Sequence, residues 1–312
     1  MRAAVCTRYG PPEVLQLRDV DKPVPKDGEV LVKIHATTVT YSDWFIRTAV
    51  RSAPLTIQIL MRLLVGIRRP RKPILGLVLA GEIEQTGPAV RRFRVGGRVY
   101  AFTNFHFGCY AQYTCLSETS PIASAPANLS YEEAAAIPYG GLLGLYYLRK
   151  GNIRTGQQVL VYGASGAVGT SAVQLAKYFG AQVTAVCGTT NLELARSLGA
   201  DTVIDYTKED ALNGGKLYDL VLDAVGTRKT SMLKVACRNA LAPGGKYISV
   251  DDGRPRFSAS DLELLKEMVE AGKVKPVIDR RYPLEQIADA HRYVEQGHKK
   301  GNVVVTVTDE VA

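Results

Sequence analysis

The chain has 312 residues, enough for about two domains at roughly 150 residues each. Apolar residues make up 46% and charged residues 22%, a balance that supports a sizeable core and excludes disordered and collagen-like chains. Lys and Arg number 39 against 30 Asp and Glu; the excess of positive charge favours phosphorylated cofactors, nucleic acid or acidic membranes without choosing among them.

The opening MRAAVCTRYGPPEV lacks the apolar core of a signal peptide. No apolar run reaches the ~18 residues of a membrane span, so a cytoplasmic protein with no membrane span is expected. Residues 1 to about 120 alternate short apolar runs with Gly and Pro turns: VLVKIHATTV (30–39), ILGLVLAGEIEQTG (74–87) and RVGGRVYAF (94–102). Such punctuation predicts a compact β-rich unit. TIQILMRLLVGIRRPRK, from Thr56 to Lys72, breaks the pattern with helical spacing, which Pro70 and Pro73 end. It reads as a lid over the active site or as an amphipathic segment on a membrane surface.

The five cysteines, Cys6, Cys109, Cys115, Cys187 and Cys237, are scattered and odd in number, so no disulfide framework is expected. Five residues separate Cys109 from Cys115, too many for a common zinc knuckle. From about 122 to 278 the character changes. QQVLVYGAS, QVTAVCG, DTVIDY, LYDLVLDAVG and GGKYISV read as strands, and helical patterns alternate with them. This alternation predicts a doubly wound parallel sheet. Gly180 stops the first of these helices, and Thr190 with Glu193 matches a capping box for the next. Residues 279 to 312 carry a last helix, with Ile287, Ala288, His291 and Val294 on one face, and a closing strand, NVVVTVT, that can rejoin the first unit.

The strongest motif is Gly163-Ala164-Ser165-Gly166-Ala167-Val168-Gly169, where a strand turns into a helix. Gly163 and Gly166 let backbone amides approach a pyrophosphate, and Gly169 lets the helix lie close to the strand. The helix start offers unsatisfied N–H groups and partial positive charge. The second strand ends in Gly188-Thr189-Thr190, without the carboxylate that binds the ribose diol of NAD. Hydroxyls can donate to a 2′-phosphate, so NADP(H) fits better than NAD.

Taken together, these blocks resemble the medium-chain dehydrogenase/reductase superfamily, in particular its zinc-free quinone oxidoreductase and alkenal (enone) reductase branch. MRAAVCTRYGPPEVLQLRDVDKPVPKDGEVLVKIHATTV, PILGLVLAGEIEQTG, ANLSYEEAAAIPYGGL, GASGAVGTSAVQLAK, SLGADTVIDYTKED, YDLVLDAVG, LAPGGKYISV and GHKKGNVVVTV occur in the family's order and span essentially the whole chain. The resemblance implies an α/β fold: a Rossmann-type doubly wound parallel sheet inserted in a GroES-like β-barrel catalytic domain. Residues 1–121 and 279–312 would form the catalytic domain and 122–278 the NADP-binding domain, with the active site in the cleft and dimerisation through the Rossmann part. Zinc dehydrogenases of the family carry Cys and His ligands where this chain has Thr40-Tyr41-Ser42-Asp43 and Gly76-Leu77-Val78, so no zinc is expected.

Without a metal, a small-molecule electrophile that needs little polarisation is implied: a quinone or an α,β-unsaturated carbonyl. Zinc-free relatives often have Asn-Pro-Val-Asp at Thr40–Asp43. Thr40 is then a hydrogen-bond donor towards ribose or substrate. Tyr41 is a candidate proton donor or oxyanion stabiliser, or else a packed barrel aromatic, and Asp43 is a helix cap. By position in the family, Tyr206 lies against the adenosine phosphate. Ala224, Val225 and Gly226 end one parallel strand and Ser249 and Val250 the next, with Asn302 near the nicotinamide. The four histidines are not spaced as a ligand set. Two other classes compete: a nucleotide-binding sensor or nucleic-acid binder with little catalysis, and a methyltransferase. Aromatics are only 8% and no RNA-binding signature is present, so no specific nucleic acid is expected.

Overall fold

The β-branched run after Gly28 becomes the spine of the first sheet. The computed structural model describes residues 1–48, 55–208, 215, 217–226 and 232–307, apart from the side chains at 56, 57, 60, 61, 64 and 105. The chain groups into two units: Met1–Pro138, Ser258–Lys266 and Ile278–Ala312, and then Tyr139–Phe257 with Glu267–Val277.

In the first unit, β1 (Arg2–Cys6) and β2 (Leu15–Asp19) make an antiparallel ribbon. β3 (Glu29–Val39) leads into α1 (Tyr41–Arg47) and α2 (Leu55–Val65). Then come β4 (Val78–Thr86), β5 (Arg98–Phe102), β6 (Tyr113–Ser117), β7 (Ile122–Ser124) and α3 (Tyr131–Ala135). Val30, Val32 and Ile34 alternate along β3 and meet Leu79, Ile83, Val99 and Leu116 in a closed apolar core; period-two spacing sends them to one face.

α2 stops earlier than its prolines suggest. It ends at Val65, where Gly66 takes φ 140°. The Arg71 N–H returns to the Val65 carbonyl at 2.7 Å. Residues 66–71 close as a loop before Pro73 is reached, so the prolines rigidify a turn instead of terminating a helix.

The second unit holds α4 (Pro138–Lys150), β8 (Gln158–Tyr162), α5 (Ala167–Tyr178), β9 (Gln182–Cys187), α6 (Leu192–Ser197), β10 (Thr202–Asp205), β11 (Tyr218–Asp223), α7 (Met232–Asn239), β12 (Leu241–Ser249) and, with Glu267–Val277, the end of α8 (Ala259–Glu270). Its five strands lie in the order β10-β9-β8-β11-β12, every pair parallel. β8 and β11 are buried almost throughout, as expected where both faces of a parallel sheet are covered. The order reverses between β8 and β11, which places a topological switch point at their carboxyl ends.

The expected capping box of α6 does not form. Thr189–Asn191 makes a 3₁₀ turn, Asn191 is the N-cap, and no side chain caps it. The threonine beside Thr190 is drawn instead to Asp205, as described below.

The chain returns to the first unit as β13 (Ile278–Pro283), α9 (Ile287–Glu295) and β14 (Asn302–Thr306). β14 pairs antiparallel with β3 and parallel with β13, extending one sheet to the order β13-β14-β3-β4-β5-β7, with β6 on β3. The closing strand thus rejoins the first β-rich unit. The buried face of α9 is Ile287, Ala290, His291 and Val294, with Ala290 where Ala288 was expected. All five cysteines are free thiols.

Candidate functional site

In the second unit, the ends of all five strands carry candidate residues. β8 ends at Tyr162, and Gly163 turns the chain at φ 80°. The Gly163 and Ala164 N–H groups both donate to the Val186 carbonyl of β9, at 3.0 Å each. A β-carbon at Gly163 would stand 2.5 Å from Val225 Cγ2, and one at Gly169 would stand 2.1 Å from the Gly163 carbonyl oxygen. Both are far inside van der Waals contact, so only glycine lets α5 start this close to β8. Gly166 caps α5 in extended conformation with no side-chain bond. A β-carbon there would meet only the Gly163 oxygen, at 3.8 Å, so the space before the helix is open. The amides of Ala167, Val168 and Gly169 have no carbonyl four residues back within the helix. With the helix dipole behind them they suit a diphosphate. Ser165 completes the turn.

At the next strand end, β9 and β10 pair with Cys187 opposite Asp205. This register brings a carboxylate to a place where the end of β9 has none. Thr189 Oγ1 donates to Asp205 Oδ2 at 2.7 Å and lies 2.9 Å from Thr207 Oγ1. Thr207 binds Asp205 Oδ1 through both its hydroxyl and its N–H. The Thr189 and Thr207 hydroxyls hold the Asp205 carboxyl below its ordinary range. Thr190 is exposed beside them, and the Tyr206 hydroxyl would lie 3.3 Å from a β-carbon on Gly188. Reading β9 alone misses Asp205, because only the pairing of the two strands reveals it.

Ala224, Val225 and Gly226 are shaped by Asp223, the last residue of β11. Asp223 Oδ1 accepts from the N–H groups of Val225 and Gly226, at 3.0 Å each. Its Oδ2 accepts from the Tyr247 hydroxyl and pairs with Lys234 Nζ, both at 2.7 Å. Asp223 is buried, so these bonds offset the cost of its desolvation. The Ser249 N–H donates to Asp252 Oδ2, and the Val250 carbonyl accepts from the Tyr147 hydroxyl. Gly163–Gly169, Gly188–Thr190, Tyr206, Ala224–Gly226 and Ser249–Val250 therefore all stand at the carboxyl edge of one sheet, where open α/β sheets bind ligands.

Thr40, Tyr41 and Asn302 belong to the other unit. Thr40 caps α1 in a reciprocal box: its hydroxyl donates to Asp43 Oδ2 at 2.6 Å and accepts from the Asp43 N–H, while the Thr40 N–H donates to the same Oδ2. Val303 faces Val39 in the β14–β3 ladder, so Asn302 stands opposite Thr40 one step outward. Tyr41 is half-buried. Its ring lies 4.8 Å from Trp44 and 6.1 Å from Phe45, centroid to centroid. Positions i, i+3 and i+4 share a helix face, and these three half-exposed rings make an aromatic surface of which the sequence reading singled out one member.

Behind Asp43 runs a buried chain of polar groups. Burial pushes its carboxyl up to about 6, against the pull of Thr40, the Gly76 amide and the Tyr110 hydroxyl. Next along, the Tyr110 hydroxyl stands 3.2 Å from His291 Nε2, and Arg47 Nε donates to His291 Nδ1 at 3.2 Å. The Arg47 guanidinium, wholly buried, also binds the Gly10 carbonyl and Glu295. Because Arg47 only donates, His291 Nδ1 accepts and its proton sits on Nε2. Burial and the adjacent Arg47 charge hold His291 well below its ordinary value, hence neutral. Nothing in the sequence pattern announces this set, because its members come from α1, α9 and the residue 110 loop. Of the other three histidines, His35 stacks on Tyr131 at 4.1 Å and His106 sits 3.3 Å from Lys72 Nζ.

At the two places where family relatives hold zinc, this chain offers a threonine whose hydroxyl is bonded to Asp43 and the alkyl side chain of Leu77. Neither suits a zinc ion. Among the described residues, no group of three or more His, Cys, Asp or Glu is placed to hold a metal.

Comparison with known proteins places this geometry. The family model described as the alcohol dehydrogenase GroES-like domain matches residues 26–144, and two models described as zinc-binding dehydrogenase match residues 167–268 and 252–305. The NADPH-dependent alkenal/one oxidoreductase of Arabidopsis thaliana chloroplasts is 32% identical, over 98% of this chain and 79% of that protein. The quinone oxidoreductase of Coxiella burnetii superposes with a TM-score of 0.85 at 26% identity, covering 99% of each chain. A structure described as an NAD-dependent alcohol dehydrogenase gives 0.83 at 30% identity, over 99% of this chain and all of the other.

Proposed function

This chain belongs to the medium-chain dehydrogenase/reductase superfamily, and from that premise we propose that it is a zinc-independent oxidoreductase that passes hydride from NADPH to a quinone or an α,β-unsaturated carbonyl. One observation carries the reading: a glycine turn open to a diphosphate stands in a chain whose family zinc positions hold Thr40 and Leu77. In this reading residues 1–121 and 279–312 form the catalytic domain and 122–278 the cofactor domain. The protein works as a cytoplasmic homodimer, with no nucleic-acid partner.

When bound, the reduced nicotinamide supplies the hydride. The amides of Ala167, Val168 and Gly169 hold the diphosphate, with Gly163, Ala164, Ser165 and Gly166 shaping the turn. Thr189, Thr190 and Tyr206 contact the adenosine end. Ala224–Gly226, held by Asp223, and Ser249–Val250 bound the nicotinamide end. The aromatic face of Tyr41, Trp44 and Phe45 takes the flat, conjugated acceptor. Such an acceptor spreads incoming charge onto its oxygen without a Lewis acid, and the Tyr41 hydroxyl donates a hydrogen bond there. Thr40 acts by position, since its own proton goes to Asp43.

The test is NADPH consumption with a panel of quinones and enones, alongside simple aldehydes. The reading expects turnover with conjugated acceptors and little with aldehydes. Consumption with aldehydes alone, or with no acceptor of either kind, would overturn it.

A further inference from the structure

From Trp44 to Gly81 the sequence contains no Asp or Glu and seven Arg or Lys residues. In the middle of this stretch α2 carries Leu55, Ile59 and Leu63, spaced by four and therefore on one helix face. They are 70%, 52% and 55% exposed, and Ile67, just past the helix, is 67% exposed. Three large aliphatic side chains on one helix face, followed by the exposed Ile67, form a patch that a soluble protein rarely presents without a use.

Beside the stripe lies a cavity of about 710 Å³, lined among others by Cys6, Thr7, Arg18, Arg68, Arg69 and Arg71. Arg62, Arg68, Arg69, Arg71 and Lys72 are all exposed. Among the described residues, no carboxylate forms an ion pair with any of the arginines of the 62–71 segment. The loop that presents them is held in shape. The Tyr9 hydroxyl donates to the Gly66 carbonyl at 2.7 Å, the Arg71 N–H to Val65 at 2.7 Å, and the Cys6 N–H to Pro73 at 2.7 Å.

We propose that α2 and the loop after it dock this protein on the surface of an anionic phospholipid membrane, with the stripe Leu55, Ile59, Leu63 and Ile67 in the acyl boundary and lipid phosphates against Arg68, Arg69 and Arg71. Aliphatic side chains gain by leaving water for the acyl boundary, and adjacent arginines gain from the negative potential of the headgroups. The two features sit end to end, as an interface between hydrocarbon and phosphate requires. Nucleic acid would satisfy the arginines but leave the stripe in water, and the stripe offers no aromatic ring for bases to stack on. A second copy of the chain would cover the stripe but bring a matching basic patch towards it. Docking does not depend on the proposed reduction and needs no span; among the described residues no helix is long and apolar enough to cross a membrane.

The experiment is flotation of the full chain with vesicles of phosphatidylcholine alone or mixed with phosphatidylglycerol. Wild-type protein is expected to float with the mixed vesicles only and to be released by high salt. The double variants I59N/L63N and R68S/R69S are each expected to lower partitioning on the order of 10- to 100-fold. Both pairs are exposed, and circular dichroism reports whether the fold survives; L55S is a milder probe of the stripe should the first pair unfold. The proposal fails if mixed vesicles leave the protein in solution, or if the stripe variants float as well as wild type, which would reduce the patch to plain charge. It also fails if the stripe variants change only the protein's mass in lipid-free light scattering, or if the arginine variants lose RNA binding while keeping flotation.

Discussion

The turn at Gly163–Gly169 and the polar chain behind Thr40 are built in opposite ways. The turn consists of main chain: amides, a helix start and the absence of β-carbons, all within seven consecutive residues. The chain from Thr40 through Asp43, Tyr110 and His291 to Arg47 consists of side chains drawn from distant parts of the sequence and sealed from water. A site made of backbone is specified by what each residue lacks. One made of buried side chains is specified by what each partner supplies. The first tolerates no added atom at Gly163 or Gly169; the second tolerates no missing one.

The largest effect expected from breaking this contrast is in the turn. G169V places a branched side chain where even a β-carbon would stand 2.1 Å from the Gly163 oxygen. NADPH affinity should fall by more than about 1,000-fold, or the second unit should unfold, as shown by calorimetric titration alongside a thermal melt. In the polar chain, R47M leaves Glu295, the Gly10 carbonyl and His291 Nδ1 without their donor. A loss of about 3–5 kcal/mol in urea unfolding is expected, with NADPH affinity retained in whatever protein stays folded.

Asp43 gives a pH signature to the same chain. Its folded carboxyl is raised to about 6 from 3.8, so between those values the folded protein holds a proton that the unfolded chain has released. Its contribution is therefore fully present below the unfolded value and is lost as pH rises through about 6, by about 3 kcal/mol in all. D43N keeps an acceptor for Thr40 and should flatten that slope in melts recorded from about pH 4 to about pH 7. A D43N slope equal to that of wild type would place the titration elsewhere.

Smaller effects sharpen the roles. Y41F should lower kcat/KM for an enone by about 10- to 100-fold, with NADPH affinity unchanged, if the hydroxyl serves only where charge develops. At the adenosine end, D205N removes a carboxylate 2.7 Å from Thr189 Oγ1. It should shift preference towards NADPH over NADH by about a few-fold, read from the two Kd values.

What the sequence discloses follows the same division. The parallel sheet, the glycine turn and the closing strand that returns to β3 are local patterns of period or spacing, and all three stand where the residues indicate. Asp205 escaped because it comes to the end of β9, beside Thr189, only through the β9–β10 register. Asp223 looks like an ordinary strand end until its bonds to the Val225 and Gly226 amides are seen. The Thr190–Glu193 box was legible but outbid by the Thr189–Asp205 bond one residue away, and the stop of α2 at Gly66 was masked by two prolines that shape the loop beyond it. Tyr110, His291 and Arg47 carry no mutual spacing at all, since burial alone joins them.

Hydride transfer without a metal is tested most directly by assaying NADPH oxidation with an enone after exhaustive treatment with a chelator, with metal content measured on the same sample. Thr40 and Leu77 at the zinc positions lead to an unchanged rate in metal-free protein and no gain on adding Zn²⁺. A rate that vanishes with the chelator and returns with zinc would mean that other side chains bind the ion, and the assignment of the chemistry to Tyr41 and the glycine turn would have to be given up.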